Sequence, residues 1–421
     1  MKNLKSALLK RTLQAHRFLL WSAGATVLIY GISGLSHTIM TWTTPQAPVF
    51  FPPTLSQFVE GLYNIPEILG KAGVRAATTV KVVPFDGQPI LQVTEDPLQA
   101  RRYFDLSTKT EIADGDLRQA RWLASYYFKK DPAEIKLVEF QNEFDKGYPW
   151  VNRLLPVYKV HFESGLVAYV HTEAAVLAAV GTELKTLQQN IFVNLHSFEW
   201  LRGVPWLRFV VMLLMVGSLL STTVAGFILL WQLKHQRKMD GRRKWHRNLA
   251  FVLVLPLIGF SLTGIARLVM NNLSESKRGP LMKEPQILDF SKFAAWKSDI
   301  HVHGNFSSIS LVSARDKYYL RYAKAGGKQE EHVHNDQKFQ GTPQEVGDRI
   351  YDLSGVAADF GDAELAQGEI AKVWPQARVE SKKIVQSFGP FYDFRNKRLP
   401  VWQFELDNAK EKMVFVDPAT G

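Results

Sequence analysis

Three stretches of this chain are almost free of charge: Phe18–Trp42, Trp206–Trp231 and Leu249–Met270. A helix rises about 1.5 Å per residue, so each can cross a hydrocarbon core of roughly 30 Å. The only Lys, Arg, Asp, Glu or His residues inside them are His37, Arg208 and Arg267, each near an end of its run. A backbone in lipid must satisfy its own hydrogen bonds, and a helix does so within one segment. The runs therefore predict three transmembrane helices. The first is longer than the apolar core of a cleavable signal, and no small-residue cleavage pattern follows it.

Charge gives the expected orientation. Residues 1–17 carry five Lys/Arg and no acid, and residues 232–248 carry seven Lys/Arg with one acid, Asp240. Together these two segments account for the net charge of +11. Positive charge beside membrane helices marks the cytoplasmic side, which leaves no basic groove to assign to nucleic acid. The chain reads as a basic lead at 1–17, helices at 18–42, 206–231 and 249–270, a basic loop at 232–248, and exterior segments at 43–205 and 271–421. The absence of cysteine excludes disulfides, thiolate metal sites, Fe–S clusters and covalent c-type haem attachment.

Both exterior segments carry mixed helix and strand signals. Pro45, Pro48, Pro52 and Pro53 mark the exit from the first helix. Asp114–Lys130 has Leu117, Ala120, Leu123, Ala124 and Tyr127 at helical spacing. Pro156–Phe162 and Leu166–Val170 flank a Glu-Ser-Gly turn, a hairpin signal. Residues 185–205 read as an amphipathic helix. In the second segment, Ile309–Ala314 and Tyr318–Ala323 flank an Arg-Asp-Lys turn, and a helix over Asp362–Trp374 ends at Pro375.

The halves repeat. His16–Arg17 and His246–Arg247 each precede a glycine, Gly34 and Gly264, by eighteen residues counted from the histidine. Leu155–Pro156–Val157 recurs as Leu399–Pro400–Val401, Tyr158 as Trp402, and Phe144 and Tyr148 as Phe388 and Tyr392, all at an offset of 244. The fold class expected is an α+β membrane protein with three transmembrane helices and two exterior α+β domains in tandem repeat. The first hairpin leads on to His196 and a membrane helix, whereas the second leads only to Gly421. The repeat thus predicts a fourth helix, with a counterpart of His196, beyond the given residues.

These residues carry a resemblance. The run of Trp374–Pro375, Tyr392, Arg398–Leu399–Pro400–Val401 and Val416–Asp417–Pro418–Ala419–Thr420–Gly421 resembles a PepSY domain, whose usual closing signature is Val-Asp-Pro-Ala-Thr-Gly. The first copy departs from it, with His171–Thr172–Glu173 in the closing position. The helices with His16–Arg17, Leu195–His196 and Trp245–His246 are similar to the PepSY-associated transmembrane family. Members of that family include haem-binding inner-membrane reductases of siderophore iron uptake; others are PepSY proteins of uncertain role.

The resemblance implies haem-dependent electron transfer in a bacterial inner membrane. The N-terminus would be cytoplasmic and the large domains periplasmic. Imidazole is a standard axial ligand for haem b, and His16 and His246, equivalent by repeat, would hold the iron at the inner edge. At the outer edge His37 and His196 are the candidates for a second haem, with His196 pairing either with His37 or with the histidine of the expected fourth helix, so one or two haems are expected. Arg267, which stands where the first copy has His37, could neutralise a propionate. The competing account of each histidine is a helix end anchored in lipid headgroups. His301–Val302–His303 and His332–Val333–His334 could chelate a metal if extended, since alternate strand residues share a face; solvated surface strands account for them equally.

No Gly-x-Gly-x-x-Gly, Gly-x4-Gly-Lys-Ser/Thr or His-Glu-x-x-His motif occurs. Electrons would therefore come from a separate, unidentified donor and pass to an exterior acceptor such as a ferric siderophore. The alternative is a non-redox, membrane-anchored PepSY protein that binds or regulates a protease or an envelope ligand.

Overall fold

The chain folds as mixed α+β, and among the described residues three helices are long and apolar enough to cross a membrane. A computed structural model describes residues 2–421 apart from 50–51, 56–58, 234–239, 274–285, 294–295, 297–298, 301–303, 325–345, 387, 390, 393–397 and 408–411. Its contacts divide it into a helical unit, Met1–Thr43 with Leu184–Lys283, and a polar unit, Thr44–Glu183 with Glu284–Gly421.

In the helical unit, α1 is Lys2–Thr43. No proline interrupts it, so it runs unbroken from the basic lead through the first apolar run. In the polar unit, α2 is Ile65–Lys71 and α3 is Gly115–Phe128. Back in the helical unit come α4 (Glu183–His196, its first residue excepted), α5 (Pro205–Gln232) and α6 (Gly241–Leu273). Pro205 sits in the first turn of α5, where its missing N–H costs nothing. Pro256 lies inside α6, as lipid-embedded helices tolerate. α5 packs against both α1 and α6.

The polar unit is built on three main antiparallel sheets. Its strands are β1 (Ala76–Ala77), β2 (Thr79–Phe85), β3 (Gln88–Thr94), β4 (Arg102–Asp105), β5 (Ile135–Gln141), β6 (Val157–Phe162), β7 (Leu166–His171) and β8 (Val176–Thr182). The later segment adds β9 (Leu288–Asp289), β10 (Phe306–Ala314), β11 (Lys317–Lys324), β12 (Val346–Asp352), β13 (Val379–Val385), β14 (Val401–Leu406) and β15 (Met413–Val416), with α7 at Asp362–Val373. One sheet runs β12-β11-β10-β2-β3-β4, a second β5-β6-β7-β8 and a third β13-β14-β15, while β1 and β9 pair on their own.

The two segments expected as separate domains thus share a six-stranded sheet, joined where Val82 pairs with Ile309 and Lys81 with Ser310. Their common core includes Val82, Leu91, Phe104, Phe306, Leu311 and Leu320. Each half of this sheet contains a hairpin with a two-residue turn, Asp86–Gly87 and Arg315–Asp316, all at positive φ. Such turns match the twist of the strands they join.

The repeat holds at the level of register. Shifting by 244 residues maps Ile135↔Phe162 onto Val379↔Leu406 and Gln141↔Val157 onto Val385↔Val401, with a β-bulge at the same place in both pairs. In each copy a helix covers one sheet face. Ala120, Leu123 and Tyr127 of α3 bury against Tyr158, Val160 and Ala168, and Ala366 and Ile370 of α7 against Phe404 and Val414. A second repeated turn escaped the sequence reading. Asp105 accepts from the N–H groups of Ser107 and Thr108, and Asp352 from those of Ser354 and Val356. Both are built on the sequence Asp-Leu-Ser at the end of a strand, and both are local Asp turns.

Candidate functional site

One face of α1 carries its polar residues at helical spacing, and this face meets α5. Ser22 and Ser218 share a hydrogen bond of 2.9 Å, and the Thr26 hydroxyl donates to the Met215 carbonyl at 3.1 Å. Thr26 and Ser33 are buried. In an apolar medium such contacts hold helices together as much as shape does.

His16 belongs to this seam. Its Nδ1 lies 3.1 Å from the Thr222 carbonyl oxygen. A carbonyl only accepts, so Nδ1 carries the proton and Nε2 keeps its lone pair. One turn further along α5, Gly226 faces the same ring: a Cβ there would stand 3.4 Å from His16 Cε1. Thr222 and Gly226 together form a notch that seats the imidazole. His246, in the second turn of α6, brings its ring centre to 6.3 Å from that of His16, with the planes at 64°. Two metal–imidazole bonds of about 2 Å, with roughly 1 Å more from each nitrogen to its ring centre, put two imidazoles on one metal about 6 Å apart. The separation of the two ring centres matches that distance. A hydrogen bond that fixes the second ring nitrogen is the usual support of a ligating histidine.

At the other end of α1, His196 is held in the same way. The Ser33 hydroxyl donates to the Ile29 carbonyl at 2.6 Å and so accepts from His196 Nδ1 at 3.0 Å. Tyr30 stands edge-on to the ring at 5.0 Å, and Phe192 stacks on it at 4.7 Å. His37 lies against Phe192, also at 4.7 Å. Both His37 and His196 therefore contact the Phe192 ring. Arg267 is exposed and enters neither histidine group. Arg208, which the sequence reading left without a role, donates from Nε to the Ser197 carbonyl at 2.6 Å and sits 3.5 Å from Glu199. It ties the end of α4 to the start of α5. His301, His303, His332 and His334 lie outside the described residues, and among the described residues no cluster of three or more potential metal ligands occurs.

No family model, curated protein or solved structure matches this chain. The residues themselves carry the functional reading.

The polar unit holds a second buried polar group, which the sequence did not disclose. Arg101 has a fully buried side chain, 3.9 Å from both Asp116 and Glu173. Asp116 accepts from the Arg101 backbone N–H and from the Tyr103 hydroxyl, each at 3.0 Å. Arg398 reaches Glu173 at 3.3 Å and Asp417 at 3.0 Å. The departure from the closing signature in the first copy thus supplies Glu173 as a partner for the second. Burial pushes the Glu173 carboxyl up, but Arg398 and its neighbouring cations outweigh this and hold it well below the usual carboxylate range. His171 Nε2 lies 3.2 Å from Arg101 Nη2, and His171 Nδ1 lies 3.2 Å from the Ala174 N–H. Burial first, and then the Arg101 charge, push this imidazole well below its ordinary value, so it stays neutral.

Proposed function

We propose that the protein is a haem b electron-transfer protein of a bacterial inner membrane, with His16 and His246 as the axial pair. The observation that carries this reading is the 6.3 Å separation of two rings from equivalent positions of the repeat, one of them anchored through Nδ1. Haem b held there would supply one-electron transfer at the iron. The chain's own contribution is to present Nε2 of His16 as a lone-pair donor and to seat that ring against Thr222 and Gly226.

The basic segments support a cytoplasmic position for His16 and His246 and a periplasmic one for the polar unit. Electrons would enter from a separate donor on the inner side. They would leave towards a periplasmic acceptor, for which a ferric siderophore or similar chelate is the class the family resemblance supports. The matched register of the two helix-and-sheet modules supports the PepSY-like reading of the polar unit.

The test is direct. Full-length protein purified from haem-replete cells should be red, with a Soret band that shifts on reduction with dithionite. Colourless protein from such cells would sink the reading in favour of a non-redox membrane-anchored binding protein.

A further inference from the structure

The face of α4 that turns away from α1 has no partner among the described residues, although it is apolar. Leu184, Leu187, Ile191 and Leu195 fall on one stripe at spacings of three and four, and they are 57%, 57%, 40% and 39% exposed. From Thr186 to Phe198 the chain contains no Asp, Glu, Lys or Arg. A water-exposed helix of that length would ordinarily carry several charges, and one resting on a protein core would bury its stripe; α4 has no buried residue.

The contacts with α1 give its depth. Ser33 meets His196 and His37 meets Phe192, so a step forward along α4 matches a step back along α1. By that register Leu195 is level with Gly34, Ile191 with Thr38 and Leu187 with Trp42, while Leu184 comes just beyond the end of α1. Those levels belong to the far end of the first membrane-spanning helix. There α1 itself turns Leu35, Ile39 and Trp42 outward. Trp42 is the kind of residue that marks a membrane–water boundary. The stripe is continuous in depth with a surface that already faces acyl chains. The exposed amide of Asn194 is satisfied within the helix, donating to the Asn190 carbonyl at 2.9 Å.

We propose that α4 is a half-depth membrane helix, with Leu184, Leu187, Ile191 and Leu195 packed against lipid acyl chains of the leaflet farther from His16. Leu195 lies deepest and Leu184 at the headgroups. His196, on the adjoining face, is then shielded from water by lipid as well as by Phe192 and Tyr30. Because the four positions are set by helix register, the proposal stands whether or not iron binds at His16.

The chain has no cysteine, so single labels can be placed cleanly. Leu184→Cys, Leu187→Cys, Ile191→Cys and Leu195→Cys of the full chain in phospholipid nanodiscs would each carry a nitroxide. Collision with dissolved oxygen would then be compared with collision with a water-soluble nickel chelate. The expected result is a shift towards oxygen that grows stepwise from 184 to 195, against Gln88→Cys in the β2–β3 hairpin as the water-exposed reference. Labels as accessible to the nickel chelate as the one at residue 88 would overturn the proposal. Labels shielded from both reagents would overturn it too, and would assign the stripe to a protein partner or a second copy. Four independent sites keep the test valid if one variant fails to fold.

Discussion

Two histidine environments, one in each unit, use the same ring in opposite ways. His16 in the helical unit is fixed through Nδ1 alone, and Nε2 is left with its lone pair beside His246. His171 in the polar unit has its lone pair taken up, Nδ1 accepting from the Ala174 N–H, while Nε2 lies against Arg101. The first arrangement holds a ring in position and keeps one nitrogen for chemistry. The second encloses the ring in a cluster of two guanidinium groups and three carboxylates, where its work is to be neutral. Spare hydrogen-bonding capacity, rather than burial or the presence of charge, separates the candidate site from the structural cluster.

The largest effect that would sharpen this contrast is loss of cofactor. His246→Ala and His16→Ala are each expected to abolish the Soret band while leaving the secondary structure measured by circular dichroism unchanged. Full haem content in either variant would remove that residue from the axial pair. The converse substitution is Arg101→Met, which removes a buried cation from beside Asp116 and Glu173 in the polar unit. Breaking a buried ion pair from one side costs about 3–5 kcal/mol, so its thermal unfolding should move down sharply with haem content per folded molecule unchanged.

Gly226→Leu tests the notch. An added side chain against the His16 ring carries an overpacking cost of about 1–3 kcal/mol. Haem content should fall in part and the reduction potential should shift, whereas Gly217→Leu, at a glycine with open space around it, leaves both unchanged. Smaller still is Ser33→Ala, which removes the acceptor for His196 Nδ1 and should cost about 1 kcal/mol, as interhelical hydrogen bonds in lipid do. The smallest effect is one of pH. Because folding lowers the His171 pKa, the unfolded chain binds the extra proton, and stability is lost as pH falls below about 6.5. His171→Gln should flatten that slope in unfolding measurements taken between about pH 7 and pH 5.

How much was legible in advance depended on the range of the interaction. The membrane helices, α3 and α7 follow from periodicity within a single stretch, and the β6–β7 and β10–β11 hairpins from a turn between two apolar runs. The equivalence of His16 and His246 was readable because both sit in the same local sequence. β2 to β4 were missed although Asp86–Gly87 is a strong hairpin turn; β2 is buried along its whole length, so its strand shows no alternation. The relation of His37 to His196 could not be read, because it depends on a Phe192 side chain reaching between two helices. Arg101, Glu173 and Arg398 come from distant parts of the chain, and only the shared fold makes them neighbours.

The six-stranded sheet also sets an order of events during synthesis. β2, β3 and β4 emerge first, but the edge of β2 finds its partner only when β10 has been made, after the whole of α5 and α6. Until then a strand edge rich in valine stays open, a surface on which unfinished chains can associate. The polar unit closes only after the last of the described membrane helices has left the ribosome. Truncating the chain before β10 should therefore yield aggregation and proteolysis of the first segment rather than a stable half-protein.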